Sequence, residues 1–172
     1  SRRGVLVGDA LGLVSGWGFF LFLAGLWFSP QPRFTIPFPR SSTIALPFVG
    51  LELSLLHAVV SAPFLAVGSW LGIGGVAEVS LRVAETHRAE RVVKTGVYSF
   101  VRHPQYLGGM LAHIGFSVLL AAWYSLLLTP VVVALNYLIS WKEEEELVKQ
   151  FGEDYEGYRE RVPMLVPRLR GR

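Results

Sequence analysis

The sequence predicts an all-α, polytopic membrane protein with four or five transmembrane helices, a C-terminal helical hairpin and an amphipathic C-terminal helix. Three observations carry this. Hydrophobic residues make up 52% of the 172-residue chain, above the ~45–50% expected of a soluble domain even when glycine is counted. The apolar residues gather in three long blocks. Charge is segregated: residues 1–81 hold four basic residues and three acids, and residues 82–172 hold the other twelve and ten. The chain therefore divides, within one domain, into an N-terminal transmembrane part (1–81) and a charged C-terminal part (82–172).

The first block, Gly4 to Phe28, contains one acid, Asp9. A crossing needs ~20 apolar residues, so this is one helix, and its length without a clear cleavage site speaks against a cleavable signal peptide. The stretch "SPQPRFTIPFPRSST" (Ser29 to Thr43), with four prolines and two arginines, reads as an extramembrane loop. The second block, Ile44 to Leu81, exceeds one upright crossing. Pro63 either kinks one long tilted helix or marks a turn between two short ones. Glu52 and His57 within it sit near an interface or form a substrate-facing polar patch, because ionisable groups at depth are costly.

The third block, Pro104 to Trp141, has no Lys, Arg, Asp or Glu. As two helices of roughly 28 Å each at ~1.5 Å per residue, it matches a hydrocarbon core of ~30 Å. Ala121-Ala122-Trp123-Tyr124 is the expected turn, so Arg102 and Lys142 emerge on one side. The basic residues of the Arg82–Arg102 linker and of the tail from Lys142 place that side in the cytoplasm. Four crossings put the N-terminus inside with Arg2 and Arg3; five put it outside and bring Arg33 and Arg40 in. In the tail, Leu147, Phe151, Tyr155 and Tyr158 fall on one helical face that lies against the membrane or the hairpin. Gly152 weakens the helix there, and Pro163 and Pro167 end it.

Chemistry concentrates where the third block begins. In "VRHPQYLGG", His103 is near an N-cap and Pro104 opens the helix, whose free N–H groups and dipole attract an anion. Arg102 adds a permanent charge, His103 a ring that can donate or accept a hydrogen bond, and Tyr106 a ring and a hydroxyl. Gly108 and Gly109 allow close helix packing or close approach of a ligand. At the other end of the hairpin, Glu143 to Glu146 turn about 100° per residue, so at least one carboxylate faces inward. An anion site and a cation site then flank one pocket, which suits a zwitterion with an added positive centre, such as S-adenosylmethionine. His113 and Asn136 are candidate pocket-lining residues. No metal is expected, since His113 has no second ligand at helical spacing and the chain has no cysteine. The near balance of acids and bases excludes the basic stripe of a nucleic-acid binder.

"VVKTGVYSFVRHPQYLGG" (Val92 to Gly109) followed by "EEEELVKQFGEDYEGYRERVP" (Glu143 to Pro163) resembles the integral-membrane methyltransferase superfamily. That group includes the isoprenylcysteine carboxyl methyltransferases and the phospholipid N-methyltransferases. The resemblance spans about residues 90–167. It implies an all-α membrane enzyme with S-adenosyl-L-methionine as cofactor and a lipid or lipid-like methyl acceptor. By position, Val93, Gly96, Tyr98, His103, Pro104, Tyr106, Glu143 and Glu144 match the cofactor segments, and Arg102 and Glu144 are the candidates for catalytic roles. If the acceptor is a carboxylate, Arg102 positions it; if it is an amine or thiol, Glu144 takes the proton. Glu90 stands where the isoprenylcysteine enzymes carry a histidine, so the resemblance implies methyl transfer without fixing the acceptor. Two other readings stay open: an NADPH-dependent membrane reductase with a similar C-terminal region, and a membrane scaffold whose basic "RLRGR" end binds a partner or anionic lipid.

Overall fold

The computed structural model describes residues 18–37, 43–46, 51–79 and 91–167. The expectations placed on residues 1–17, on Arg40, on Arg82, Arg88 and Glu90 of the linker and on "RLRGR" lie outside the described residues. Among those described are six α-helices: α1 (Gly18–Phe28), α2 (Leu55–Val79), α3 (Pro104–Leu119), α4 (Trp123–Leu127), α5 (Thr129–Phe151) and α6 (Glu153–Arg161). Of these, α2 is long and apolar enough to cross a membrane, and α1 is apolar but shorter.

The second apolar block is not helical throughout. Thr43–Leu46 (β1) and Leu51–Ser54 (β2) pair antiparallel, with Thr43 opposite Ser54 and Leu46 opposite Leu51. Helix α2 follows β2 directly and runs through Pro63 as one element, so the single long helix is the correct alternative. Glu52 is exposed on β2, whereas His57 is buried with its ring 5.3 Å from that of Phe34.

Helices α2 and α3 make the closest crossing. A Cβ added at Gly108 would lie 2.7 Å from Gly68 O and 2.7 Å from Gly72 N. The two backbones therefore touch through small residues, the way helices associate where no hydrophobic drive separates protein from lipid. Gly109 faces open space, so only its neighbour serves packing.

The hairpin turn lies at Leu120–Ala122, where Ala121 has φ 51°. Trp123 and Tyr124 already belong to α4. The returning helix, expected as one, is interrupted at Leu128, and α5 begins at Thr129-Pro130; proline lacks an N–H and suits a first helical turn. Part of the loop expected outside the membrane anchors this turn. Arg33 donates to the carbonyls of Trp27, Leu120 and Ser29, each at 2.9 Å. Gln31 Oε1 accepts from the Tyr124 amide at 2.7 Å. These bonds satisfy helix-end groups that have no intrahelical partner. Beside them Leu23, Trp27, Met110, Val132 and Leu165 form the main apolar cluster.

Gly152, at φ 53°, ends α5 and turns the chain into α6. Tyr155 and Tyr158 are buried, and Leu147 and Phe151 half-buried, so the four-residue face packs inward as its spacing predicts. After Arg161 the chain extends and returns to the start of α3, where Arg102 N and His103 N donate to Pro163 O (2.9 Å) and Met164 O (3.1 Å).

Candidate functional site

The start of α3 and the far part of α5 meet at one pole, closed over by α6 and the extended tail. His103 is the N-cap of α3, without a side-chain capping bond, and Pro104 occupies its first turn. The expected anion site on the backbone is corrected in part. The amides of Arg102 and His103 point at the tail carbonyls, so they are taken by the chain itself.

Glu144 is the hub. Although 3% exposed, it accepts from Arg102 Nε at 2.6 Å and meets Arg102 Nη2 at 2.6 Å, His103 Nε2 at 3.3 Å and Arg159 Nε at 3.4 Å. Burial alone pushes its carboxyl up, but hydrogen bonds from His103 and Arg102 and their charge outweigh that and hold it below the ordinary carboxylate range. It is therefore a carboxylate at neutral pH. Arg102 is equally engaged: its Nη1 donates to Arg159 O at 2.9 Å and to Val162 O. The two poles inferred from the sequence thus touch each other instead of flanking an open pocket.

Glu143 is placed differently. Its Oε2 is buried with no hydrogen-bond partner; His103 Nδ1, at 3.8 Å, is too far to bond. The Tyr106 phenol is in side-chain hydrogen-bonding contact with Glu143, and the Tyr106 ring lies 5.7 Å from that of His103. Tyr98 stands at the edge: its hydroxyl accepts from Gln105 Nε2 at 3.1 Å, and burial pushes the phenol up to about 12. Arg102, His103, Pro104, Tyr106, Glu143 and Glu144 are brought together. Gly96 instead opens the 3-10 turn Gly96–Ser99 at φ 53°, against the Glu78 carboxylate of α2. Val93 is half-buried in the irregular run before it.

The other candidates lie along the helices. His113 is buried, with Nε2 3.1 Å from Ser125 O, and Asn136 donates to Val132 O of its own helix at 2.8 Å. Among the described residues no group of three potential metal ligands is found. Sequence reasoning missed Arg159, which sits one turn after Tyr155 on the inward face of α6; that i, i+4 spacing was the signal available. Beside the hub, a groove of about 530 Å³ is lined by Arg102, Glu156, Arg159, Glu160, Pro163 and Met164. It combines acids, bases and an apolar wall.

The sequence model of the phospholipid methyltransferase family matches residues 56–154, more than half of the chain. The chain belongs to that family. The match begins on α2 and ends at the start of α6, so the charged pole lies almost wholly within the family region. The chain is 31% identical over 117 residues to the protein-S-isoprenylcysteine O-methyltransferase of Schizosaccharomyces pombe, covering 60% of this chain and 47% of that one. It is 40% identical over 83 residues to methanethiol S-methyltransferase 2 of Bradyrhizobium diazoefficiens, covering 42% and 27%. This member of the family thus spans about half the length, or less, of those curated relatives. Among solved structures it is similar to a eukaryotic intramembrane Ras methyltransferase, an isoprenylcysteine carboxyl methyltransferase. The TM-score is 0.50 and the identity 20%, over 66% of this chain and 43% of that one. That likeness shows a shared, mostly helical fold.

Proposed function

We propose that this family member is an integral-membrane methyltransferase with four or five crossings, and that it uses S-adenosyl-L-methionine at a cytoplasmic pole to methylate a small amphiphilic or lipid-embedded acceptor. The observation that carries this reading is the cluster of buried His103 and Glu144 with half-buried Arg102 and Glu143, assembled from both ends of the hairpin inside the family region. The relatives named for methylating an isoprenylcysteine and methanethiol support an acceptor that is apolar apart from its reacting atom.

The residues present fit the cofactor. Glu143 Oε2 is a buried acceptor that the fold leaves unpaired, which suits a cationic group, since a buried carboxylate oxygen without a partner is costly. The groove at Arg102 offers Glu156, Glu160 and Arg159 as poles and Pro163 and Met164 as an apolar wall. When bound, the cofactor supplies an electrophilic methyl on a sulfonium centre. The chain's own part is alignment, the largest lever for a transfer that needs no covalent help. Glu143 holds the cationic end, with Tyr106 fixing its carboxylate. Glu144 stays ionised and ties Arg102 to α6, so that α6 and the tail cover the pole and exclude water. His103, between the two carboxylates, is the group placed to hold or pass a proton if the acceptor is a thiol or amine. Arg102 acts through Glu144 and the tail carbonyls, as a positioning residue.

Titration calorimetry of the detergent-solubilised protein with S-adenosylhomocysteine tests this, with NADPH as the control ligand. Saturable binding of the first, weakened in Glu143→Gln, is expected. Binding of NADPH instead, or of neither ligand by a protein with a cooperative melt, sinks the reading.

A further inference from the structure

The pole contains two pairs of like residues, and in each pair the fold uses one and leaves the other. Of the glutamates, Glu144 is fully engaged while Glu143 Oε2 has no hydrogen-bond partner. Of the tyrosines on α6, Tyr158 donates to Tyr98 O at 2.6 Å, and that bond ties the helix to the 3-10 turn. Tyr155, 3% exposed, has a buried hydroxyl with no hydrogen-bond partner. A buried hydroxyl left unpaired costs about 1–3 kcal/mol, and native structures hold few such groups without a reason.

The position of Tyr155 says what the reason is. It lies four residues before Arg159, hence on the same face of α6, and that face carries Arg159 to Glu144 at 3.4 Å. Its ring packs edge-on against Tyr158, with centroids 5.8 Å apart, so its place on α6 is held by packing. The groove lined by Arg102, Arg159 and Glu156 opens onto the same arginines. Other buried polar atoms without partners, such as Trp27 Nε1 and His113 Nδ1, belong to the apolar cluster toward the Leu120 end of α3. Near the charged pole, among the described residues, the buried groups without a hydrogen-bond partner are Glu143 Oε2, the Tyr155 hydroxyl and the Ser140 hydroxyl. Ser140 sits one turn before Glu144 on α5, and of the two hydroxyls Tyr155 is the one on the helix that closes over the arginines.

We propose that the Tyr155 hydroxyl is a ligand-binding group of this site. It donates to an acceptor atom of the bound S-adenosyl cofactor, while Glu143 takes the cationic end. The proposal deepens the methyltransferase reading and rests on it. It assigns Tyr158 the opposite, structural role, although both residues are tyrosines one turn apart on one helix.

Tyr155→Phe and Tyr158→Phe each remove a single oxygen, and in the detergent-solubilised chain they separate the two roles. Tyr155→Phe is expected to keep or raise the melting temperature, because an unpaired buried hydroxyl is gone, and to weaken S-adenosylhomocysteine binding by about tenfold. Tyr158→Phe is expected to lower the melting temperature and, where still folded, to bind as the wild type does. Wild-type affinity in Tyr155→Phe overturns the proposal. So does a lower melting temperature in Tyr155→Phe with affinity lost in parallel, because that is a structural role. If the wild type binds no S-adenosylhomocysteine, the methyltransferase reading itself fails, a result distinct from either.

Discussion

Removing the Glu144 carboxylate should release the tail from the pole. In Glu144→Ala, Arg102 Nε and Nη2 both lose the oxygen they meet at 2.6 Å, and Arg159 loses its contact at 3.4 Å. The Arg102 side chain, 9% exposed, is left as a buried cation. Breaking a buried ion pair from one side costs ~3–5 kcal/mol. The carbonyls of Arg159 and Val162 still accept from Arg102, which places this case at the lower end, about 3 kcal/mol. At ~1.4 kcal/mol per decade, the closed state loses roughly a hundredfold in its equilibrium. The reporters are the amides of Arg102 and His103, whose acceptors are the tail carbonyls of Pro163 and Met164. Hydrogen exchange followed by mass spectrometry on peptides spanning these residues should show protection falling by about two orders of magnitude. Glu144→Gln should fall in between, since its amide oxygen still accepts. If protection in Glu144→Ala stays within a few-fold of wild type and the melting temperature does not move, Glu144 does not hold the tail and the hub is wrongly drawn.

Other outcomes follow from the same geometry. Because the Glu144 carboxyl is held below its ordinary value in the folded chain, its contribution is fully present above the unfolded carboxylate value of about 4.3 and is lost as the pH falls below it. Melting temperature against pH should therefore fall less steeply below that point in Glu144→Gln than in wild type. Gly108→Ala drives a methyl against the backbone of Gly68 and Gly72; overpacking of this kind costs about 1–3 kcal/mol, to be read as a lower melting temperature. Gly96→Ala meets the Glu78 carboxylate and a φ of 53°. Glu78→Ala in the same chain should recover the steric part of the loss in thermal melts and leave the backbone strain of ~1–2 kcal/mol.

The site was more legible in the sequence than the path of the chain around it. Arg102-His103-Pro104 announced a helix start because proline and a capping position are local facts, and the glutamate run announced a carboxylate facing inward because four successive residues cover a helix. Hydropathy, however, cannot tell which carboxylate is inward, nor that Arg102 reaches it directly, since that depends on the packing of segments some forty residues apart. The β1–β2 pair was hidden for a related reason. "TIAL" and "LELS" are four-residue runs inside an apolar block, too short for alternation to stand out against the average. The break before α5 is marked by Pro130, which opens a new first turn, but the length of the apolar run alone implies one continuous helix. Arg33 looked like a loop charge because its acceptors are helix-end carbonyls, one of them 87 residues away.

The backbone pairing of Arg102 and His103 with Pro163 and Met164 also sets a timetable for synthesis. The guanidinium of Arg102 and the Val162 carbonyl it engages are 60 residues apart. At about 5–20 residues per second, Arg102 leaves the ribosome roughly 3–12 seconds before that partner does. For much of that interval the side-chain partner available to Arg102 is Glu144, 42 residues on, and α3 has no lid over its first turn. Closure of the charged pole therefore waits on residues 162–164 and is missing from any translation product that stops before them.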